Sequence, residues 1–382
     1  MHSTSPSFFD DIIHKNKHRT ENHSQRSLPS DPPSLSFSDN DYLGLSRHPS
    51  VRQSAAKAIQ DIGTSARAAR LLAGSSPIHR QLEKSLASWK STEQALLFSA
   101  GYLTPLGVIP ALLGPQDTVV LERNAHSCLF DGAKLSGARI RVFHRQDTKE
   151  LQKVLTSSNQ LHPSGKILLV VESLHSMDGD WAPLLEIIQL KNQVGAWLLL
   201  DEAHANGICG PEGAGLAAQL NCTHQIDIQM GTLGKTLGSS GGFVAASDFI
   251  INHLLNESRT FLFGTALSPA SAAATMASLE IVRSTEGDTL RQKLQQNIAQ
   301  FTATYPSPLS GPIHLVACRA NSAALTASTA LRNLGIDVPA IRYPTVPEGS
   351  ARLRLSLSSR HTQKDIQTLT TALVCLPIPP SL

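Results

Sequence analysis

The sequence predicts an α/β protein with a mostly parallel sheet covered by helices on both faces, followed by a smaller α+β unit. Two observations carry this. Through the middle of the chain short apolar runs alternate with stretches of helical period, the βαβα rhythm of a parallel sheet. After about residue 280 the rhythm becomes strand, helix, strand, helix. The 382 residues suffice for two lobes, and 41% apolar content with only 5% aromatics rests their cores on Ala, Leu, Ile and Val.

In chain order, residues 1–34 are rich in Ser, His and Pro and read as an arm with a short helix over 8–18. Order is expected from 35–46, where Asn40-Asp41-Tyr42-Leu43-Gly44 has turn character. Apolar residues at helical spacing predict helices over 51–62 and 78–89, with a Gly/Ala/Ser/Arg loop over 63–74 between them. Strands are predicted at 118–121, 140–144, 167–171, 197–200, 226–230 and 242–246. The helices among them fall at 102–113, 127–135, 148–157 and 184–193. Helices at 268–282 and 290–305 follow. The last unit has a strand at 313–317, a helix at 322–334 and a strand at 352–358. Its final helix starts near Thr362, which stands at capping-box spacing from Asp365. The expected division is an arm 1–45, a large domain 46–280 and a small domain 281–382.

Composition excludes several classes of function. The 33 basic and 30 acidic residues leave a net charge of +3, with 16% of residues charged. That is no footprint for a nucleic acid or a membrane surface. No apolar run approaches the roughly 18–20 residues that span a bilayer. Cys128, Cys209, Cys222, Cys318 and Cys375 are odd in number and form no CxxC pair, which argues against a disulfide framework and a zinc site; no metal is expected. Asp10 and Asp11 lie beside Lys15, Lys17 and Arg19 with no apolar stretch, so a secretory signal is not expected and a reducing cytoplasm is.

Binding sites in parallel sheets lie at the carboxyl ends of the strands. Here those ends read Glu172, Ser173, His175, Ser176, Asp178 and Asp180 after one strand, Asp201-Glu202-Ala203-His204 after the next, and Gly231-Thr232-Leu233-Gly234-Lys235 after a third. One chemistry uses all of them. A lysine in a glycine-flanked turn after a buried strand suits a Schiff base with an aldehyde cofactor. A shielded Asp201 can hold a pyridinium nitrogen protonated and keep the cofactor an electron sink, while His204 reaches the ring's phenolic oxygen. Thr232 and the turn Ser99-Ala100-Gly101-Tyr102, at the start of a helix, can hold a phosphate. That is the logic of pyridoxal 5′-phosphate (PLP).

Taken singly, each residue has an ordinary alternative: Asp201 as a cap, Gly-Lys-Thr as a turn, His126 as a helix-start residue, Cys209 as packing. A helicase-type NTPase also carries Asp-Glu-Ala-His and Gly-Lys-Thr. A phosphate loop, however, needs a glycine five positions before Gly234, and that position is Gln229. The order of the two motifs is reversed as well, so that reading fails.

The chain resembles the α-oxoamine synthases, fold-type I PLP enzymes that condense an amino acid with an acyl thioester and release CO2. The likeness runs from about Ser38 to Leu373. It rests on Asn40-Asp41-Tyr42-Leu43-Gly44-Leu45, Ser176-Met177-Asp178-Gly179-Asp180, Asp201-Glu202-Ala203-His204, Gly231-Thr232-Leu233-Gly234-Lys235, Pro344-Thr345-Val346-Pro347 and Ala351-Arg352-Leu353-Arg354-Leu355. It implies a large, mostly parallel seven-stranded sheet domain and a smaller α+β domain. It also implies that Lys235 holds PLP and moves the α-proton, Asp201 pairs with the ring nitrogen, His204 and Ser176 approach the ring oxygen, and His126 stacks on the ring. Thr232, Gly101 and Tyr102 would bind the phosphate, and Thr265 would reach the phosphate of the partner subunit in a homodimer. Arg354, with help from Asn40, would clamp the substrate carboxylate, and Thr345 would also bind substrate. The member implied joins L-alanine to pimeloyl-CoA or a pimeloyl carrier protein. A sibling using glycine or serine with another acyl-CoA, and a silent subunit that keeps the fold for binding, stay open, although the intact Lys235, Asp201 and His204 oppose the silent subunit. Departures are Ala205-Asn206-Gly207 where Gly-Thr-Gly is commoner, Gly264 where a serine is common, and alanines within 65–70 where glycines are usual. They bear on substrate preference more than on the cofactor.

Overall fold

A computed structural model describes residues 8–28, 35–161 and 163–376. The parts of the expected arm at 1–7 and 29–34, and the chain end at 377–382, lie outside the described residues. Twelve strands are described: β1 (Leu35–Ser36), β2 (Gln94–Phe98), β3 (Thr118–Glu122), β4 (Arg139–Phe143), β5 (Ile167–Glu172), β6 (Trp197–Asp201), β7 (Ile228–Thr232), β8 (Gly242–Ala246), β9 (Ile313–Arg319), β10 (Ile336–Asp337), β11 (Ala340–Ile341) and β12 (Ala351–Ser356). Contacts group the chain into two units. One is Asn40–Asn297 with Ser358–Arg360; the other is Met1–Asp39, Ile298–Leu357 and His361–Leu382. By contacts the division falls inside the helix Thr285–Thr304, whereas residue 280 lies inside the preceding helix, Pro269–Val282.

The larger unit is built on a seven-stranded sheet of order β2-β8-β7-β6-β5-β3-β4. β4, β3, β5, β6 and β7 run parallel, and β8 is antiparallel to both its neighbours. The parallel strands read as continuous apolar runs because both faces are covered. Leu168 and Val170 pack on one side with Val119, Leu121, Leu199 and Met230; Leu169 and Val171 pack on the other with Val120, Leu198 and Leu200. β2 was not predicted. Its Ala95-Leu96-Leu97-Phe98 run is short and pairs with β8, far along the chain. β7 begins two residues later than predicted, since Thr223–Gln225 forms a 3-10 turn closed by Ile226.

The smaller unit holds a three-stranded sheet of order β11-β12-β9, antiparallel throughout, and the parallel pair β1-β10. The helix Gln363–Val374 starts with the predicted capping box: Thr362 N–H donates to Asp365 Oδ2 at 2.8 Å, and Asp365 N–H to Thr362 Oγ1 at 3.2 Å. The arm's helix extends over Phe8–Glu21 with every residue exposed. Among the described residues, no helix is long and apolar enough to cross a membrane.

Candidate active site

The carboxyl ends of β5, β6 and β7 are neighbours, and the sheet sets their polar residues side by side. Asp201 closes β6. It is 5% exposed, and its Oδ1 accepts the N–H of Ala203 at 2.9 Å. Burial pushes its carboxyl up to about 7; the Lys235 charge partly offsets this and the Glu172 charge adds to it. The next residue, Glu202, goes the other way. It meets Lys90 in a fully buried ion pair, and Lys90 also donates to Asn206 Oδ1 at 3.0 Å and to the Ala214 carbonyl. Asn206, one of the departures from the family pattern, is therefore an acceptor for a buried lysine. Gly207 beside it has φ +86°, and a Cβ there would lie 2.3 Å from Thr236 Cγ2, so glycine is required.

Four groups form a chain. Lys235 Nζ donates to His204 Nε2 at 2.8 Å, His204 Nδ1 meets the Tyr42 hydroxyl at 2.7 Å, and that hydroxyl donates to Asn40 Oδ1 at 3.2 Å. A hydroxyl that donates to Asn40 accepts from Nδ1–H, which leaves Nε2 as the acceptor for the lysine amine. Tyr42 is fully buried. The sequence showed it only as part of a motif; nothing in a linear reading pairs it with His204.

His126 is the N-cap of the helix Ser127–Ser136. Its side chain accepts from Cys128 N–H, and Nδ1 lies 2.9 Å from Cys128 Sγ. The cap uses the ring's edge, since hydrogen bonds lie in the imidazole plane, and Tyr102 meets the ring edge-to-face with centroids 6.2 Å apart. Burial holds its pKa below the usual histidine value, while the charge of Glu172 acts the other way. Ser176 is 2% exposed in the turn after β5.

Gly101 and Tyr102 immediately precede the helix Leu103–Leu112. A Cβ on Gly101 would come 2.7 Å from Thr232 Oγ1, so backbone and hydroxyl share one small cradle at a helix start. Thr265 is exposed and bridges to Ala69. In the smaller unit Arg354 is 4% exposed and donates to Ser356 Oγ at 2.9 Å, while Thr345 accepts from Arg26 at 2.7 Å. Ligand atoms of His175, Asp178 and Asp180 lie within 4.8 Å of one another, but the Arg145 guanidinium donates to Asp180 Oδ2 at 2.8 Å, which makes this an ion-paired network.

These residues fit PLP. A lysine amine, a buried acid and a phosphate cradle bounded by Gly101 and Thr232 stand on neighbouring strand ends. Comparison with known proteins agrees. The family model for class I and II aminotransferases matches residues 32–373. An 8-amino-7-oxononanoate synthase of Acidithiobacillus ferrooxidans is 43% identical over 350 residues, 89% of this chain and 87% of the relative. A serine palmitoyltransferase from S. paucimobilis, solved with a bound PLP–myriocin aldimine, superposes with a TM-score of 0.87 at 26% identity, over 95% of this chain and 96% of that one. The 8-amino-7-oxononanoate synthase of Francisella tularensis gives 0.75 at 25% identity, over 89% and 96%. The fold is that of the fold-type I PLP-dependent transferases, and PLP is the cofactor.

Proposed function

The chain belongs to the class I and II aminotransferase family, and on that footing we propose that it joins L-alanine to pimeloyl-CoA or a pimeloyl carrier protein. The products are 8-amino-7-oxononanoate, CO2 and the free thiol, a step of biotin synthesis. The observation that carries the reading is the 43% identity, over 89% of the chain, to a relative named for that product.

PLP supplies an aldehyde for the amino group and an electron sink for negative charge at the amino acid's Cα. Lys235 holds it, and its amine takes the α-proton of alanine and later returns one. His204, fixed by Tyr42, accepts from that amine and keeps it aimed. Asp201 meets the ring nitrogen, whose positive charge favours the ionised carboxylate that burial opposes. Ser176 would bond the ring oxygen, His126 would stack on the ring, and Thr232 with the N–H groups of Gly101 and Tyr102 would hold the phosphate. Arg354 is the two-pronged donor for the substrate carboxylate. The enzyme works as a homodimer in which Thr265 of one protomer reaches the phosphate held by the other. Supporting this, Thr265 is exposed and pairs with Ala69, close in sequence to the exposed Leu71 and Leu72, and Phe263 beside it is 71% exposed. The near-neutral charge gives no reason to expect a nucleic acid or membrane partner. Five free cysteines suit a reducing cytoplasm.

A second reading, serine with a long acyl-CoA, draws on the higher TM-score of the serine palmitoyltransferase. Proton exchange separates them. In deuterated buffer the PLP-loaded protein should wash deuterium into the Cα of L-alanine faster than into glycine or L-serine, and Lys235→Ala should abolish it. Exchange of serine with alanine inert would favour the second reading.

A further inference from the structure

One buried carboxylate in the large unit has no part in the mechanism above. Glu172 closes β5 and is 2% exposed. Its two oxygens serve two different segments. Oε2 accepts the backbone N–H of His126 at 2.9 Å, and Oε1 accepts the backbone N–H of Ser176 at 3.3 Å. His126 opens the helix after β3, and Ser176 lies in the turn after β5. These are the residues assigned to the ring face and the ring oxygen.

Glu172 is held in turn. The Glu172 N–H donates to Glu122 Oε2 at 3.1 Å, and Arg145 donates to Glu122 Oε1 at 2.8 Å and to the Glu172 carbonyl at 3.4 Å. His175 Nε2 stands 3.6 Å from Glu172 Oε2, with its Nδ1 3.1 Å from Asp178. Burial alone would lower the His175 pKa, but the Asp178 hydrogen bond and the Glu172 charge outweigh it and raise it. The network anchors the backbone of Glu172, and its carboxylate ties the two segments together.

We infer that Glu172 is the positioning residue for the cofactor ring: with one oxygen on each loop it places the His126 imidazole and the Ser176 hydroxyl before the cofactor arrives. It touches no reacting atom. The inference rests on PLP binding and not on the choice of amino acid or thioester, so a cofactor titration reads it without turnover.

Glu172→Gln keeps one acceptor oxygen and turns an NH2 donor toward a backbone N–H, so one of the two holds is lost. Glu172→Asp keeps both acceptors on a shorter arm. The measurement is the dissociation constant of PLP for the dialysed full chain, with the melting temperature of the same cofactor-free proteins. Glu172→Gln should weaken PLP about tenfold, and Glu172→Asp should weaken it less. On a His126→Ala background, which removes one of the two groups being placed, the extra effect of Glu172→Gln should shrink to about threefold or less. An undiminished tenfold loss on that background would overturn the inference. So would a folded Glu172→Gln protein with unchanged PLP affinity and only a lowered melting temperature. Should Glu172→Gln not fold, Glu172→Asp carries the same cycle. Failure of the wild-type chain to bind PLP would instead remove the functional reading itself.

Discussion

Replacing Asp201 by Asn should stabilise the cofactor-free protein while crippling the loaded one. Burial lifts the Asp201 carboxyl from 3.8 to about 7, with Lys235 partly offsetting this and Glu172 adding to it. A rise of about 3 units at about 1.4 kcal/mol each sets a ceiling of about 4 kcal/mol on the cost of ionising it in the fold. The folded value lies above the unfolded one. The acid's contribution is therefore fully present below about pH 4 and is lost as pH climbs through about 7. At pH 8 the wild type carries the whole loss and asparagine carries none, while the amide oxygen can still accept from Ala203. Relaxation around a buried charge reduces the figure, so the variant should be about 1–3 kcal/mol more stable at pH 8, with the gap at least halved by pH 5. Urea unfolding of both cofactor-free proteins at the two pH values measures it. A variant less stable than wild type at pH 8, or a gap that widens as pH falls, would refute the reasoning. With PLP bound, loss of the partner for the ring nitrogen should cut product formation by about a hundredfold or more.

Two further predictions follow from the same strand ends. Lys90→Met leaves Glu202 buried without its cation and should cost about 3–5 kcal/mol in denaturant unfolding; a cost under about 1 kcal/mol would mean that Glu202 is satisfied by its other contacts, such as the Ala217 N–H. Tyr42→Phe removes the hydroxyl from His204 Nδ1 and should lower kcat about tenfold while changing PLP affinity less than about threefold. An unchanged kcat would mean that His204 keeps its tautomer and aim without Tyr42.

Much of this was legible in the chain because chemistry and topology coincide. Each parallel strand is an apolar run ending in a polar cluster, so Asp201, His204 and Lys235 announce themselves, and the structure brings the last two into direct contact. The capping box at Thr362 is local and was visible for that reason. What stayed hidden is long-range pairing. Lys90 looks like a solvated helix-end lysine until the fold sets it on Glu202. Glu172 stood among the polar residues after its strand, but its two hydrogen bonds reach one segment upstream and one downstream. His126 had a structural and a cofactor reading, and the structure shows the first, with the ring's edge capping its helix. β2 was missed because a short edge run takes its identity from its partner, which lies far away in sequence.

The claim that this chain makes 8-amino-7-oxononanoate is tested most directly by product identity. The PLP-loaded protein would be given L-alanine, glycine and L-serine together, with pimeloyl-CoA and acetyl-CoA in competition, and the products weighed by mass spectrometry. 8-Amino-7-oxononanoate is expected as the dominant new mass, absent with Lys235→Ala. A glycine–acetyl or serine-derived product in its place would mean that the chain is a different acyltransferase of the family.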